Sequence, residues 1–432
     1  MNPRNASPSS LLRRRDLLGA GAALGALSLA GCATGAASGP SIGKVVVVGG
    51  GYGGATAARY LRLWGGNVDV TLVERNAEFV SCPISNYVLG GYKDMAFITK
   101  GYGGLAAAGV KVVRGDVTAI DAAGKKVRLA GGGELPYDRL ILSPGIDFMF
   151  EPIGGLEAAI ASGAVVHAWK AGPQTVALRR QMEAMPAGGV FVMAIPKAPY
   201  RCPPGPYERA CMVASYLKAA KPRAKLIVMD ANPEITSKKG LFERAFKQHY
   251  EGILEYRPNA ELKSVAGNVA KFEFDDLKFD VLNAIPPQRA GDLARSAGLL
   301  NMNNRWVGVN WLTMESTVAP GIHVLGDSTF SAPLMPKSGH MANQQAKVAA
   351  AAVIQFLKGE PVNPTPVVMN TCYSFVTATE AVHVASVHQY DAAEKTFKTV
   401  PGSGGVSAAA NQIEAKYTLG WAENVWADSL AL

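Results

Sequence analysis

Residues 44–74 constrain the fold more tightly than any other part of the chain. An apolar run at 45–48 passes directly into Gly49-Gly50-Gly51-Tyr52-Gly53-Gly54. An alanine-rich helical stretch follows, and a second run of strand character at 69–73 ends on Glu74. Strand, glycines, helix, strand and acid in that order describe a βαβ unit that holds a dinucleotide. Gly49 allows the tight turn, Gly51 lets a pyrophosphate approach the backbone, and Gly54 lets helix and strand pack closely. The pyrophosphate then rests on the amides and the positive dipole end of the helix. Glu74, 20 residues past Gly54, is placed to accept hydrogen bonds from a ribose diol. Arg75 beside it is grouped with the cofactor-binding residues.

The 432 residues suffice for two or three domains with cores of their own, and 48% hydrophobic with 18% charged residues is ordinary for a folded α/β chain. A formal charge of +9 invites a nucleic-acid reading, but four Arg and one Asp fall within residues 1–32 and the remaining excess is spread out without a basic run. Nucleic-acid binding is therefore a poor reading, whereas an anionic substrate or acidic partner suits the balance. Of five Cys, Cys32 belongs to the leader, leaving Cys82, Cys202, Cys211 and Cys372. No C-x-x-C-H occurs, so this chain attaches no c-type haem itself, and no zinc spacing occurs either. His167, His323 and His340 show no metal-ligand pattern and read as structural, so no metal site is expected.

Residues 1–41 read as export signal and linker. Arg13-Arg14-Arg15-Asp16 precedes an uncharged Ala/Gly/Leu stretch too short to span a bilayer, and Arg14-Arg15-Asp16-Leu17-Leu18 looks like a twin-arginine signal. That route exports proteins folded around a cofactor, which places the chain in the periplasm. Leu29-Ala30-Gly31-Cys32 also resembles a lipobox. Lipid attachment at Cys32 and ordinary cleavage within 33–37 both remain open, and only the former ties the chain to a membrane.

A FAD-binding domain is expected over 42–152 and 288–362, a second Rossmann-like domain over 153–287, and an α+β domain over 363–432. The second unit has its strand at 189–195 but no glycine fingerprint after it. Its turn carries Pro196, Pro199, Pro203, Pro204 and Pro206 instead. Proline removes amide donors and fixes the backbone, both wrong for a pyrophosphate, so this unit is expected to have lost its nucleotide. A helix is expected from Arg209 to Leu217. In the first domain, a strand at 321–327 brings Gly326 and Asp327 towards the cofactor. Lys337 and Gly339 open a helix at 341–357 whose dipole faces the cofactor. Trp421 is either core or a cofactor neighbour that helps route an electron.

From residue 42 onward the chain resembles the flavoprotein subunit of flavocytochrome c sulfide dehydrogenase. The strings that carry the likeness are GGGYGGATAARY (49–60), SCPISN (81–86), HAWKAG (167–172), YRCPPGPYERA (200–210), IPPQRAG (285–291), MPKSGHMANQQAKVAAAAV (335–353) and NTCYS (370–374). The resemblance implies the FAD/NAD-linked disulfide reductase fold, with FAD joined through its 8α carbon to Cys82. It also implies a redox-active disulfide of Cys202 and Cys372, with Glu208 as the nearby acid that shuttles a proton. Sulfide is then the substrate, and a separate c-type cytochrome subunit in a heterodimer takes the electrons. Cys211 has no role in this scheme. Two alternatives accompany it: a sulfide:quinone oxidoreductase-like enzyme, and a flavin electron-transfer partner of a cytochrome without catalysis of its own. The Cys202/Cys372 pair argues against the second, since electron transfer alone needs no dithiol.

Overall fold

The computed structural model describes residues 39–432, so the leader expectations, including the twin-arginine motif and Cys32, lie outside the described residues. The chain begins as its pattern requires: β1 (Gly43–Val48), α1 (Tyr52–Gly65) and β2 (Val68–Glu74), followed by the short helix α2 (Ser85–Leu89), β3 (Lys111–Arg114) and β4 (Arg139–Leu142). A second set comprises β5 (Val190–Ile195), α3 (Gly205–Ala220), β6 (Lys225–Asp230), α4 (Lys239–Tyr250), β7 (Leu254–Arg257) and β8 (Val281–Ala284). The chain then returns to the first sheet through β9 (Ile322–Val324) and α5 (Gly339–Lys358). It ends in β10 (Val367–Phe375), β11 (Ala381–Asp391), β12 (Thr396–Val406) and α6 (Gln412–Leu430).

The first sheet runs β3-β2-β1-β4-β9 with every pair parallel, and two short strands extend it antiparallel beyond β9. Its central strand is apolar from Val45 to Val48 because both faces are covered there, and all four valines are buried. The second sheet, β7-β6-β5-β8, is also all parallel. The terminal strands form an antiparallel meander. The helix α6 is tied to α1 and α5 through Asp428, whose carboxylate takes the Tyr60 hydroxyl at 2.6 Å, the Asn343 amide at 2.8 Å and the Lys347 ammonium at 2.8 Å. This is the FAD/NAD-linked disulfide reductase architecture followed by an α+β region.

Two local expectations are corrected. The helix expected from Arg209 begins four residues earlier, at Gly205. Proline in a first turn costs nothing there, because the amide it lacks has no intrahelical partner anyway. The strand expected through Asp327 ends at Val324, and a tight helical turn, Gly326–Ser328, presents Asp327 with Gly326 at φ +75°. In the second unit Asp230, at the end of β6, occupies the position of Glu74 in the first. It is fully enclosed, accepting from the Tyr207 and Tyr256 hydroxyls and from Asn232, so the ribose position is filled by the protein itself.

Candidate functional site

The C-terminal ends of β1, β2 and β4, the start of α3 and α5, and strand β10 enclose a cavity of about 270 Å³. It is bordered by Gly51, Glu74, Cys82, Cys202, Glu208, Gly326, Asp327, Lys337, Gly339 and Cys372 among the residues expected from sequence. Gly49 and Gly54 shape its floor from behind. Gly49 lies at φ +97°, and a methyl at Gly54 would sit 1.8 Å from the Gly49 carbonyl oxygen. Arg75 does not reach the site. Its side chain is 65% exposed and pairs with Asp116 at 3.0 Å, because β2 ends at Glu74 and Arg75 opens the bend that leads away from the cavity.

Several observations fit FAD. A Cβ at Gly51 would meet nothing within 4 Å, so that backbone is open to close approach, and no side chain caps the N-terminus of α1 there. Glu74 is fixed at the cavity edge by the Gly50 amide at 2.6 Å and by Asn76 at 2.7 and 2.8 Å. Asp327 Oδ1, Trp169 Nε1 and Trp421 Nε1 are buried on the cavity wall without a hydrogen-bond partner among the described residues. Such groups are rare unless a ligand completes them. Cys82 Sγ stands on the same wall, 3.2 Å from an Arg201 amino group that also donates to the Trp169 carbonyl.

Two further cysteines border the same cavity. Cys202 precedes α3 and adopts φ +56°, a left-handed conformation that is costly for a residue with a Cβ and typical of functional positions. Cys372 lies on β10, and both cysteines are free thiols here. Glu208, on the first turn of α3, accepts from Asn86 Nδ2 at 2.8 Å and from the Phe375 amide at 2.9 Å, bridging the helix to the strand that carries Cys372. Burial raises its carboxyl above the usual range, while Asn86, the Phe375 amide, Lys238 and Arg209 offset part of the rise. Burial also raises both thiols. For Cys202 a charge on Cys372 or Glu208 adds to the rise while Arg201 and Lys238 work against it; for Cys372 Lys238, Asn370 and Ser338 work against it and Glu208 adds to it.

Sequence reading missed the cations and amides that organise this cluster. Arg209 is 3% exposed and donates to Asn86 Oδ1 at 3.0 Å, Asn283 Oδ1 at 3.1 Å and the carbonyls of His167 and Ala168. Lys238 donates to the Cys372 carbonyl at 3.0 Å and Ser374 Oγ at 2.9 Å. Asn86, Arg201, Arg209 and Asn370 all fall inside strings already marked by the resemblance, which was the available signal; Lys238 had none. Lys337, expected near the cofactor, donates to the Asp327 and Thr329 carbonyls and lies 3.9 Å from the Trp306 ring centre, and burial brings its ammonium down to about 7. His340 borders the cavity with Nδ1 accepting from the Thr371 amide, while His167 and His323 are likewise committed to backbone groups. Trp421 and Tyr373 bring the C-terminal region to the cavity, their rings 5.9 Å apart.

A dinucleotide cradle facing two cysteines and a buried acid across one cavity defines a flavoprotein of the disulfide oxidoreductase type. Comparison with known proteins agrees. Residues 43–174 match the pyridine nucleotide-disulphide oxidoreductase family. Residues 175–286 match the central part of the sulfide dehydrogenase [flavocytochrome c] flavoprotein chain, and 364–430 the flavin-binding part of flavocytochrome c sulphide dehydrogenase. The sulfide dehydrogenase [flavocytochrome c] flavoprotein chain of Chlorobaculum thiosulfatiphilum is 58% identical over 45 residues, which is 10% of this chain and 94% of that sequence. Mouse mitochondrial sulfide:quinone oxidoreductase is 23% identical over 313 residues, 66% of this chain and 65% of the relative. The solved sulfide:quinone oxidoreductase of Aquifex aeolicus shares the fold with a TM-score of 0.73 at 20% identity, covering 89% of this chain and 91% of that one. This chain belongs to the family of flavocytochrome c sulfide dehydrogenase flavoprotein chains, and is an oxidoreductase that uses FAD.

Proposed function

We propose that the chain oxidises sulfide through a disulfide of Cys202 and Cys372, with FAD linked covalently to Cys82 and a c-type cytochrome subunit as electron acceptor. The observation that carries this reading is the placement of both cysteines and Glu208 on the same cavity wall system as the Gly51, Glu74 and Asp327 cradle. Hydrosulfide is a nucleophile that opens a disulfide by attack on sulfur, leaving a persulfide on one cysteine and a thiolate on the other. Glu208, with its carboxyl raised by burial, is suited to hold and release the proton of the incoming sulfide. Arg201, Arg209 and Lys337 line the cavity and outnumber the charges a bare hydrosulfide needs, which suits a phosphate-bearing cofactor as well. Bound FAD supplies a two-electron acceptor that can release electrons singly to a haem protein. Gly51 and the α1 amides would hold its pyrophosphate, Glu74 its ribose, and Cys82 Sγ its ring.

Export to the periplasm by the twin-arginine route is part of the proposal and rests on the motif at 14–18. Anaerobic stopped-flow mixing with sulfide tests the reading. The wild-type flavin bleaches and Cys202→Ser retains FAD without bleaching; full activity of Cys202→Ser refutes the disulfide route. Reoxidation by cytochrome c but not by a soluble quinone supports the acceptor, and the reverse preference moves the chain towards a quinone-linked enzyme.

A further inference from the structure

We propose that the Lys238 ammonium is the counter-charge that makes Cys372 the leaving sulfur when sulfide opens the disulfide, directing the incoming sulfur to Cys202. The inference rests on the sulfide-oxidation reading above and adds the group that gives the reaction its polarity. Lys238 precedes α4 in a left-handed conformation, φ +56°, and is 7% exposed. Its two hydrogen bonds, to the Cys372 carbonyl and Ser374 Oγ, both reach β10. An ammonium has three donors, so one is left over. No carboxylate lies within ion-pair distance of it among the described residues. Its partners are neutral, the two acceptors on β10 and the Phe242 ring 5.8 Å away, and an anion appearing beside a buried cation held this way relieves the cost of its burial.

The two sulfurs differ in the way this requires. Asn370 Nδ2 lies 3.4 Å from Cys372 Sγ, whereas Cys202 Sγ makes no hydrogen bond among the described residues, and the cation that acts most on Cys202, Arg201, is shared with Cys82 Sγ and Asp327. The charged and titratable groups that face Lys238 are Cys372, Glu208, Cys202 and Glu414, and they hold its ammonium up against burial, which brings it to about 8. Attack then runs in one direction. Hydrosulfide bonds to Cys202 Sγ, the Cys202–Cys372 bond breaks, and its electron pair remains on Cys372 Sγ as a thiolate. Cys202 carries the persulfide with the proton of the hydrosulfide, and no other reactant is consumed.

The test uses the flavin-loaded full chain, reduced with dithiothreitol and alkylated with iodoacetamide at pH 7, with each cysteine quantified by mass spectrometry. Cys372 is buried and Cys202 half-buried, so access favours Cys202 and each cysteine is compared with itself between wild type and variant. Lys238→Gln keeps donors for both hydrogen bonds while removing the charge, and should slow Cys372 about tenfold, the effect of one pKa unit, with Cys202 changed far less. Lys238→Arg should restore the wild-type rate. An unchanged Cys372 in Lys238→Gln overturns the proposal, and so does a wild-type persulfide trapped on Cys372 instead of Cys202 after one equivalent of sulfide, a measurement that needs no variant to fold. Parallel sulfide addition separates the two readings: a Lys238 effect on Cys372 in a protein whose flavin ignores sulfide upholds the coupling and overturns sulfide oxidation.

Discussion

Replacing Glu208 by Gln offers one acceptor to a position built for two. Both carboxylate oxygens receive donors, Oε2 from Asn86 Nδ2 at 2.8 Å and Oε1 from the Phe375 amide at 2.9 Å. The backbone amide cannot reverse its role. Asn86 cannot turn its side chain over either, because Oδ1 accepts from Arg209 Nε at 3.0 Å while Nδ2 also donates to the Gly205 carbonyl at 3.2 Å. Arg209 is itself held by three further acceptors. The glutamine NH2 must therefore face a donor, and one buried hydrogen bond is lost with a buried polar group left unmatched. That costs about 1–3 kcal/mol. Urea unfolding of the purified variant, followed by tryptophan fluorescence, should show a loss of this size together with slowed flavin bleaching by sulfide. A change below roughly 0.5 kcal/mol, the range of ordinary surface substitutions, refutes the locked-donor argument.

Three further outcomes follow from the site. Cys82→Ala should release its flavin on acid denaturation, whereas the wild type keeps the flavin on the unfolded chain; absorbance of the precipitate distinguishes them. Gly54→Ala forces a methyl against the Gly49 carbonyl and should lower stability by about 1–3 kcal/mol and reduce flavin content, measured by denaturation and absorbance. Lys337 is depressed from 10.5 to about 7 by burial, so the folded state binds fewer protons than the unfolded state between those values. Stability tied to this group is present above the unfolded value and is lost as pH falls through about 7. Between pH 7 and 8.5 a flavin-free preparation in the Cys82→Ala background should therefore gain about 2 kcal/mol more than Lys337→Met in the same background.

The first βαβ unit was legible because its glycines answer to the backbone alone. Gly49 needs a positive φ, and Gly54 leaves no room for a Cβ, so the residue types announce the geometry before any tertiary contact exists. The second unit lacks the glycine fingerprint in the sequence itself, and proline excludes amide donors wherever it stands. Arg75 was misplaced because adjacency to Glu74 says nothing about which side of the chain faces the cofactor. The helix expected from Arg209 starts at Gly205 because a first turn accepts Pro206, whose missing amide has no intrahelical partner there. Lys238 was invisible for a deeper reason. Its meaning comes from a hydrogen bond to a residue 134 positions away, and no local pattern encodes that juxtaposition. The same holds for the link from Phe375 to Glu208, which spans 167 positions.

The central claim, that sulfide enters by opening the Cys202–Cys372 bond, is tested most directly by trapping the sulfur. One equivalent of sulfide is added anaerobically to the oxidised flavoprotein, the reaction is quenched with an alkylating agent, and peptides are analysed by mass spectrometry. The account predicts, in a quench made before the flavin bleaches, one additional sulfur on Cys202 with Cys372 alkylated as a plain thiol, and, once the two electrons have passed to the flavin, that sulfur held between Cys202 and Cys372. Bleached flavin with no added sulfur on either cysteine contradicts it.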